Sequence, residues 1–417
     1  MAVLDVRTTK RILIISASIG GGHRAAALAL EEPLQALGHQ VYHLDLLSYT
    51  YRAFRPLYSK AYFELVATVP DFVNWLGKRL DKPSERKGSQ ERLLALFSRM
   101  MSRKLLTFIR QYQPDIIVHT HFLPPAILSV SRKYNIPEAV VVTDYGAHSA
   151  WLQPGVGRYF VATEEMSAHL KASGVLHQRI RVSGIPIDRR YQHLLAKQEA
   201  REKLSLKQDS KVLLLMASGL EEKSLSQIIK QLPLIELGQL LEVVVVCGRS
   251  SHLYTLAQEL SRPSPRLNIH LLAFTQDLPH YMAAADLITS KPGGLTTSEA
   301  LAAGLPFAVI KPYPLQEEAN TNFLLENGVG VRIEPLVVFS SKIANLLADE
   351  TRLKQMSQRA KHLAKPYAAG DIIQSLLEES LPPPWSKRLF SGTSLSKLSW
   401  RRLSSLLGGA RWKRIIF

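Results

Sequence analysis

A single cysteine, Cys247, occurs in 417 residues. That scarcity excludes a disulfide framework and a cysteine-based metal cluster, and it fits a reducing cytoplasm. No apolar run approaches the roughly 20 residues that cross a bilayer, so no membrane-spanning helix is expected. The first apolar stretch is short and ends in glycines, which reads as a strand and not as a secretion signal. No histidine stands at H-E-x-x-H spacing, no G-x-x-x-x-G-K-[ST] run is present, and no short repeat recurs, so a zinc-protease site, a P-loop and a solenoid are not expected.

Positive charge, by contrast, is plentiful and unevenly placed. The formal net charge is +17. Residues 51–110 carry 13 Lys/Arg against 5 Asp/Glu, and residues 381–417 carry 8 Lys/Arg and no acid, so the remainder is nearly neutral. Both segments are also rich in bulky apolar residues, as in "YRAFRPLYSKAYFELV" and "LSWRRLSSLL". Lys and Arg mixed with Trp, Phe and Leu suit the headgroup layer of an anionic membrane. Single-stranded nucleic acid is the alternative partner, against which the Leu and Ile of the tail argue. For the tail alone, a disordered solubilising end is a further reading.

The length and an apolar content of 46% point to two domains. From residue 10 the chain alternates apolar runs with helical stretches: "KRILIISAS", "HRAAALALEEPLQALG", "QVYHLDL", "DIIVHTHF", "EAVVVTDY". A second series begins at "KVLLLMAS" and continues through "LEVVVVCG", "LNIHLLAF", "DLITS" and "PFAVIKP". Uninterrupted apolar runs are what parallel strands covered on both faces look like. The expected fold is α/β, two doubly wound Rossmann-like domains with a ligand cleft between the carboxyl ends of their sheets. The expected boundaries are 1–187, 188–370 and a C-terminal helix with basic tail at 371–417, with a hinge near 184–190.

Two glycine-rich turns mark the chemistry. "SKPGGLTTSEALAAG" follows a strand and opens a helix, so Gly293 and Gly294 admit an anion to free backbone N–H groups, with Lys291 adding formal charge. A diphosphate is the economical ligand. Thr296 and Glu299 also stand at the S/T-x-x-E spacing of a capping box, which would make the turn purely structural. Gln316, Glu317 and Asn320 are suited to pair vicinal sugar hydroxyls, or alternatively form a solvated helix start. The second turn, "SASIGGGHRAA", places Gly21, Gly22 and His23 at the carboxyl end of the first strand. A neutral imidazole there can accept a proton, or it can simply cap the helix. Asp144, His148 and Trp151 form another cluster: Asp144 to orient an imidazole and Trp151 to line an apolar channel, unless Trp151 is core.

"TSKPGGLTTSEALAAGLPFAVIKPYPLQEEANTNFLLENGVG" strongly resembles the C-terminal domain of the monogalactosyldiacylglycerol synthase and processive diacylglycerol glucosyltransferase group. "ILIISASIGGGHRAAALAL", "QPDIIVHTHF" and "VVTDYGAHSAWLQPGVGRYFVATEEMSAHLKASGVLHQRIRVSGIPID" resemble its N-terminal motifs, so the likeness runs from about residue 10 to 370. It implies a GT-B fold and an inverting transfer of hexose from a UDP-sugar, glucose or galactose, to the hydroxyl of diacylglycerol. By that resemblance His23 is the base, and Gly21, Gly22, His121, Asp144, His148 and Trp151 face the acceptor. Gly293, Gly294, Leu295 and Thr296 would take the diphosphate, Glu299 the ribose, Gln316, Glu317 and Asn320 the hexose, and the backbone at Phe274 and Thr275 the uracil. The group's glycine-rich loop after the first strand of the donor domain reads "MASGLEEKSL" here, retaining only Gly219. No metal, no other cofactor and no nucleic acid are expected; the partners are a UDP-hexose, a diacylglycerol-type lipid and an anionic membrane, whose cytoplasmic face the enzyme would bind peripherally. The rivals are a polyprenyl-linked or other lipid glycosyltransferase, an epimerase of the same architecture, and a non-catalytic lipid- or nucleic-acid-binding protein.

Overall fold

The computed structural model describes residues 9–17, 21–49, 103–129, 136–146, 151–153, 155–262, 264–312, 316–379 and 381. The basic segment through residue 102, the tail from 382 onward, and His148 lie outside the described residues.

The apolar runs form strands. The first sheet contains β1 (Arg11–Ser16), β2 (Gln40–Asp45), β3 (Ile116–His119), β4 (Glu138–Val141), β5 (Arg158–Val161) and β6 (Ile180–Val182), all parallel, in the order β2-β1-β3-β4-β5-β6. The second contains β7 (Lys211–Met216), β8 (Leu241–Val246), β9 (Leu267–Leu272), β10 (Leu287–Ser290), β11 (Phe307–Val309) and β12 (Gly330–Arg332), again parallel, in the order β12-β11-β10-β7-β8-β9. Ile12 to Ile15 of β1 and Val243 to Val245 of β8 are buried, as helices on both faces require.

Each order reverses direction once. In the first sheet the reversal lies between β1 and β3; in the second it lies between β7 and β10. Adjacent connections leave such a point on opposite faces, so the sheet opens a crevice there at its carboxyl edge. The glycine turn after β1 and the loop after β3 therefore share one crevice. The loop with Gly219 after β7 and the "KPGG" turn after β10 share the other.

Of the helices that build on this frame, four bear on the site and the domain arrangement: α1 (Gly22–Ala36), α2 (Gly294–Ala302), α3 (Gln316–Glu326) and α4 (Ala368–Glu378). Helix α1 buries Ala26, Ala27, Leu30 and Leu34, one stripe at helical spacing, and Gly38 (φ 85°) closes it in the left-handed conformation glycine tolerates. Helix α4 departs from the expected partition. It begins at Ala368, before the anticipated boundary, and packs Ile372, Ile373 and Leu376 among Ile12, Ile14, Ala27, Leu30 and Phe160 of the first domain. The chain thus crosses back after the second domain.

Electrostatics pins that return. Glu379 accepts from the buried Arg158 (2.6 Å) and from Arg181 (2.6 Å), while Arg158 also donates to Ser375 Oγ (2.7 Å). The Arg181 hydrogen bond, helped by Ser375 and Arg158, holds the Glu379 carboxyl down to about 2. A carboxylate with a depressed folded-state pKa stabilises the fold above its unfolded value and loses that contribution as pH falls towards its folded value. Glu379→Gln should therefore lower the melting temperature at neutral pH, with the gap from wild type shrinking between about pH 5 and pH 2. Thermal melts of both proteins across that range would check it; a gap independent of pH would count against this ion pair.

Candidate active site

His23 is the second residue of α1, and its ring is tied across the crevice. Nδ1 lies 2.8 Å from the Thr120 carbonyl oxygen and 2.9 Å from Thr143 Oγ1. A carbonyl only accepts, so Nδ1 carries the proton and the neutral ring keeps its lone pair on Nε2. Thr120 grips the backbone as well, its hydroxyl donating to the His23 carbonyl at 2.8 Å. Burial pushes the imidazole down to about 4, against the opposing effect of the Thr120 hydrogen bond. The ring is therefore neutral throughout the physiological range.

Behind this ring stands an aromatic wall. His121 meets it edge-on, with centroids 4.5 Å apart, and stacks on Phe122 at 4.3 Å. His121 Nδ1 accepts from the Leu123 backbone N–H at 3.0 Å, which places the His121 proton on Nε2. Trp151 packs against Phe122 at 5.4 Å and is fully buried. Its ring centre lies 6.5 Å from that of His121, so among the described residues Trp151 packs as the core reading expects. Gly21 is exposed, and a side chain there would meet nothing within 4 Å. Gly22 is tighter, because a Cβ there would lie 3.3 Å from Leu295 Cδ2 of the other domain.

The facing wall is the start of α2. Its N-cap, Gly293, offers no side-chain hydrogen bond, and Thr296 and Glu299 both lie inside the helix. The capping-box reading of those two residues is thereby corrected, because the helix starts at Gly294 rather than after Thr296. The backbone N–H groups of Gly294, Leu295 and Thr296 have no partner among the described residues, and they sit at the positive end of the helix. Lys291 is half-buried just before the turn. Glu317 Oε1 lies 3.9 Å from where a Cβ on Gly293 would be. Gln316 opens α3 beside it.

Deeper along α2, burial raises the Glu299 carboxyl to about 8, with Asp188 adding to the rise and Arg190 opposing it. At neutral pH a carboxyl so placed can both donate to and accept from a diol. Arg190 also donates to the Gln276 carbonyl at 2.6 Å, clipping the hinge to the loop that carries Phe274 and Thr275. Phe274 is exposed under the Arg249 guanidinium, 4.8 Å from the ring centre, and Thr275 Oγ1 accepts from the Asp277 N–H at 3.0 Å. Gly219 turns the loop after β7 with φ 83°.

Two expected roles change. Asn320 is fully buried and commits its amide to protein: Oδ1 accepts from the Tyr145 N–H at 2.7 Å, and Nδ2 donates to the Pro292 carbonyl at 2.8 Å and, more weakly, to Asp144 Oδ1 at 3.4 Å. It rivets the domains together through Tyr145 in this conformation, with both Nδ2 protons committed to protein. Asp144 does not orient the His23 imidazole, whose Nδ1 is taken by Thr120 and Thr143. Burial pushes the Asp144 carboxyl up to about 6, its Asn320 contact opposing and Glu317 reinforcing the rise. Thr120 and Thr143 escaped the sequence reading, although they stand one and two residues past the ends of β3 and β4, the position from which crevice residues come.

Residues 23–187 match the family model for monogalactosyldiacylglycerol synthase, and residues 196–363 match that for glycosyl transferases group 1. A processive diacylglycerol beta-glucosyltransferase of Bacillus licheniformis is 27% identical over 383 residues, covering 90% of this chain and 96% of that protein. The Bacillus subtilis protein of the same name is 28% identical over 384 residues, with 90% and 97% covered. Among solved structures, Acinetobacter baumannii MurG superposes with a TM-score of 0.59 at 19% identity, over 89% of this chain and 100% of that one, a likeness of fold.

The tautomer and the low basicity of His23 are measurable. Nitrogen-15 spectra of labelled protein should show a proton on Nδ1, a bare Nε2, and a titration midpoint near 4. A midpoint near the ordinary histidine value of about 6.5 would mean that the ring is solvated and untethered.

Proposed function

We propose that this chain, which matches the family model for monogalactosyldiacylglycerol synthase over residues 23–187, transfers a hexose from a UDP-sugar to the free hydroxyl of diacylglycerol, with inversion, at a membrane surface. One observation carries the mechanism. A base of fixed tautomer, His23, is joined through Thr143 to an uncapped helix terminus that suits a diphosphate.

In this reading the acceptor hydroxyl gives its proton to His23 Nε2 while its oxygen bonds to the anomeric carbon. The bond from that carbon to the diphosphate oxygen breaks on the opposite face. The departing charge is met by the N–H groups of Gly294, Leu295 and Thr296 and by Lys291, and UDP leaves. The arriving diphosphate also answers the low basicity of the resting imidazole, because negative charge nearby favours the imidazolium as it forms. Glu299 holds the ribose, Gln316 and Glu317 address the hexose, and the Phe274–Thr275 backbone meets the uracil. Gly21 leaves the approach to His23 open for the lipid headgroup. Helix dipole and lysine supply the leaving-group charge, so transfer proceeds without a divalent ion.

Among the described residues no helix is long and apolar enough to cross a membrane. The basic, aromatic-rich segments 51–110 and 381–417 supply peripheral attachment to anionic lipid on the cytoplasmic face.

Incubation with anionic liposomes containing diacylglycerol and labelled UDP-glucose or UDP-galactose should give a labelled glycolipid, with or without a chelator. No product from either donor would overturn the reading. His23→Ala should cut turnover by about 10²–10⁴-fold, the usual worth of a general base, and leave UDP affinity near wild type. Removing residues 381–417 should weaken sedimentation with anionic liposomes and have little effect with neutral ones; equal sedimentation would remove the tail from the membrane contact.

A further inference from the structure

The loop after β4 touches both halves of the site within four residues. Thr143 places its hydroxyl 2.9 Å from His23 Nδ1, and its carbonyl oxygen lies only 1.9 Å from where a Cβ on Gly294 would be. Two residues on, Tyr145 is held three ways by the donor domain. Its N–H donates to Asn320 Oδ1 at 2.7 Å, its ring stacks on Phe323 of α3 at 4.2 Å, and its hydroxyl lies 3.0 Å from Ser298 Oγ of α2. Ser298 spends its own proton on the Gly294 carbonyl at 2.9 Å, so the tyrosine is the donor in that pair. A side chain on Gly146 would sit 2.3 Å from the Ala319 Cβ. The loop is therefore seated on α2 and α3 in one register, with no slack for sliding.

We propose that Tyr145 is a positioning residue, which couples the seating of the donor domain to the placement of His23 through Thr143. It rests on the transferase reading for its catalytic meaning, but the coupling itself is mechanical. The diphosphate cradle belongs to the second domain alone, so UDP still binds when the loop is loosened. The base, however, lies in the first domain. It meets the sugar in the correct place only if the 143–146 stretch transmits the seating of α2 to the imidazole. Tyr145 supplies the area and the directional bond that hold this stretch down, whereas Thr143 supplies the contact with the ring.

Two readouts separate the coupling from the reaction. In Tyr145→Ala, the nitrogen-15 titration of His23 should move from about 4 towards the ordinary histidine value as the ring gains water. Its turnover with diacylglycerol should fall by an order of magnitude or more, while the UDP dissociation constant by calorimetry stays near wild type. Tyr145→Phe, which keeps the stack, should recover most of both. Tyr145→Leu, which keeps apolar bulk but loses the stacked ring and the hydroxyl, should behave like Tyr145→Ala and serves if the alanine variant fails to fold. An unmoved His23 titration in folded Tyr145→Ala or Tyr145→Leu would overturn the proposal. So would a loss confined to UDP affinity. A shifted titration in a wild-type background that forms no glycolipid would instead leave the coupling standing and sink the transferase reading.

Discussion

The hydrogen bond from His23 Nδ1 to the Thr120 carbonyl decides what this crevice can do. Its geometry is inherited from the sheet. β1 and β3 pair in parallel with Ile15 opposite His119, and the ladder continues one step further as the Thr120 N–H donates to the Ile15 carbonyl at 3.1 Å. The chain from β1 must then turn through glycines into α1, so the second helical residue arrives beside Thr120. A carbonyl held there by backbone pairing cannot rotate away, and the tautomer of His23 follows from the topology.

Burial has opposite effects on the two sides of the gap. On the first domain it disfavours the charged imidazole and leaves a weak base. On the second it strengthens the attraction between helix N–H groups and an anion, because little water screens them. A site of this kind is poorly poised when empty. In the proposed reaction the donor brings the charge that the base lacks, so proton transfer becomes favourable only when the leaving group is in place. Misdirected activation of water in the empty cleft is correspondingly disfavoured.

Residues whose role follows from local backbone were legible in the sequence. The parallel strands announced themselves as unbroken apolar runs. The turns at Gly22 and Gly293–Gly294 announced themselves as glycines between a strand and a helix. Roles that depend on a partner distant in sequence were not legible. Thr143 and Thr120 look like ordinary strand ends until the sheet order brings both to one imidazole. Asn320 reads as a sugar ligand because amides suit hydroxyls, yet a backbone N–H at Tyr145 across the domain gap and a carbonyl at Pro292 in its own domain offer it the same complement. The spacing of Thr296 and Glu299 imitates a cap, but two glycines let the helix begin before Thr296. The return of α4 to the first domain is written in Ile372, Ile373 and Leu376, an apolar stripe that any uncovered sheet face would satisfy.

Gly294 shows how one residue type can be required twice. At a helix start beneath a diphosphate, glycine serves because its N–H can be approached closely. In this structure the missing side chain is also the space occupied by the Thr143 carbonyl, 1.9 Å from an ideal Cβ, a separation no real Cβ shows. The two requirements are physically separate. The first concerns a ligand and is satisfied by any small, flexible turn; the second concerns the closed arrangement of domains and admits no Cβ at all unless they part. Because Thr143 is also the residue that touches His23, the glycine proposed to admit the anion is the same one that lets the proposed base come near it.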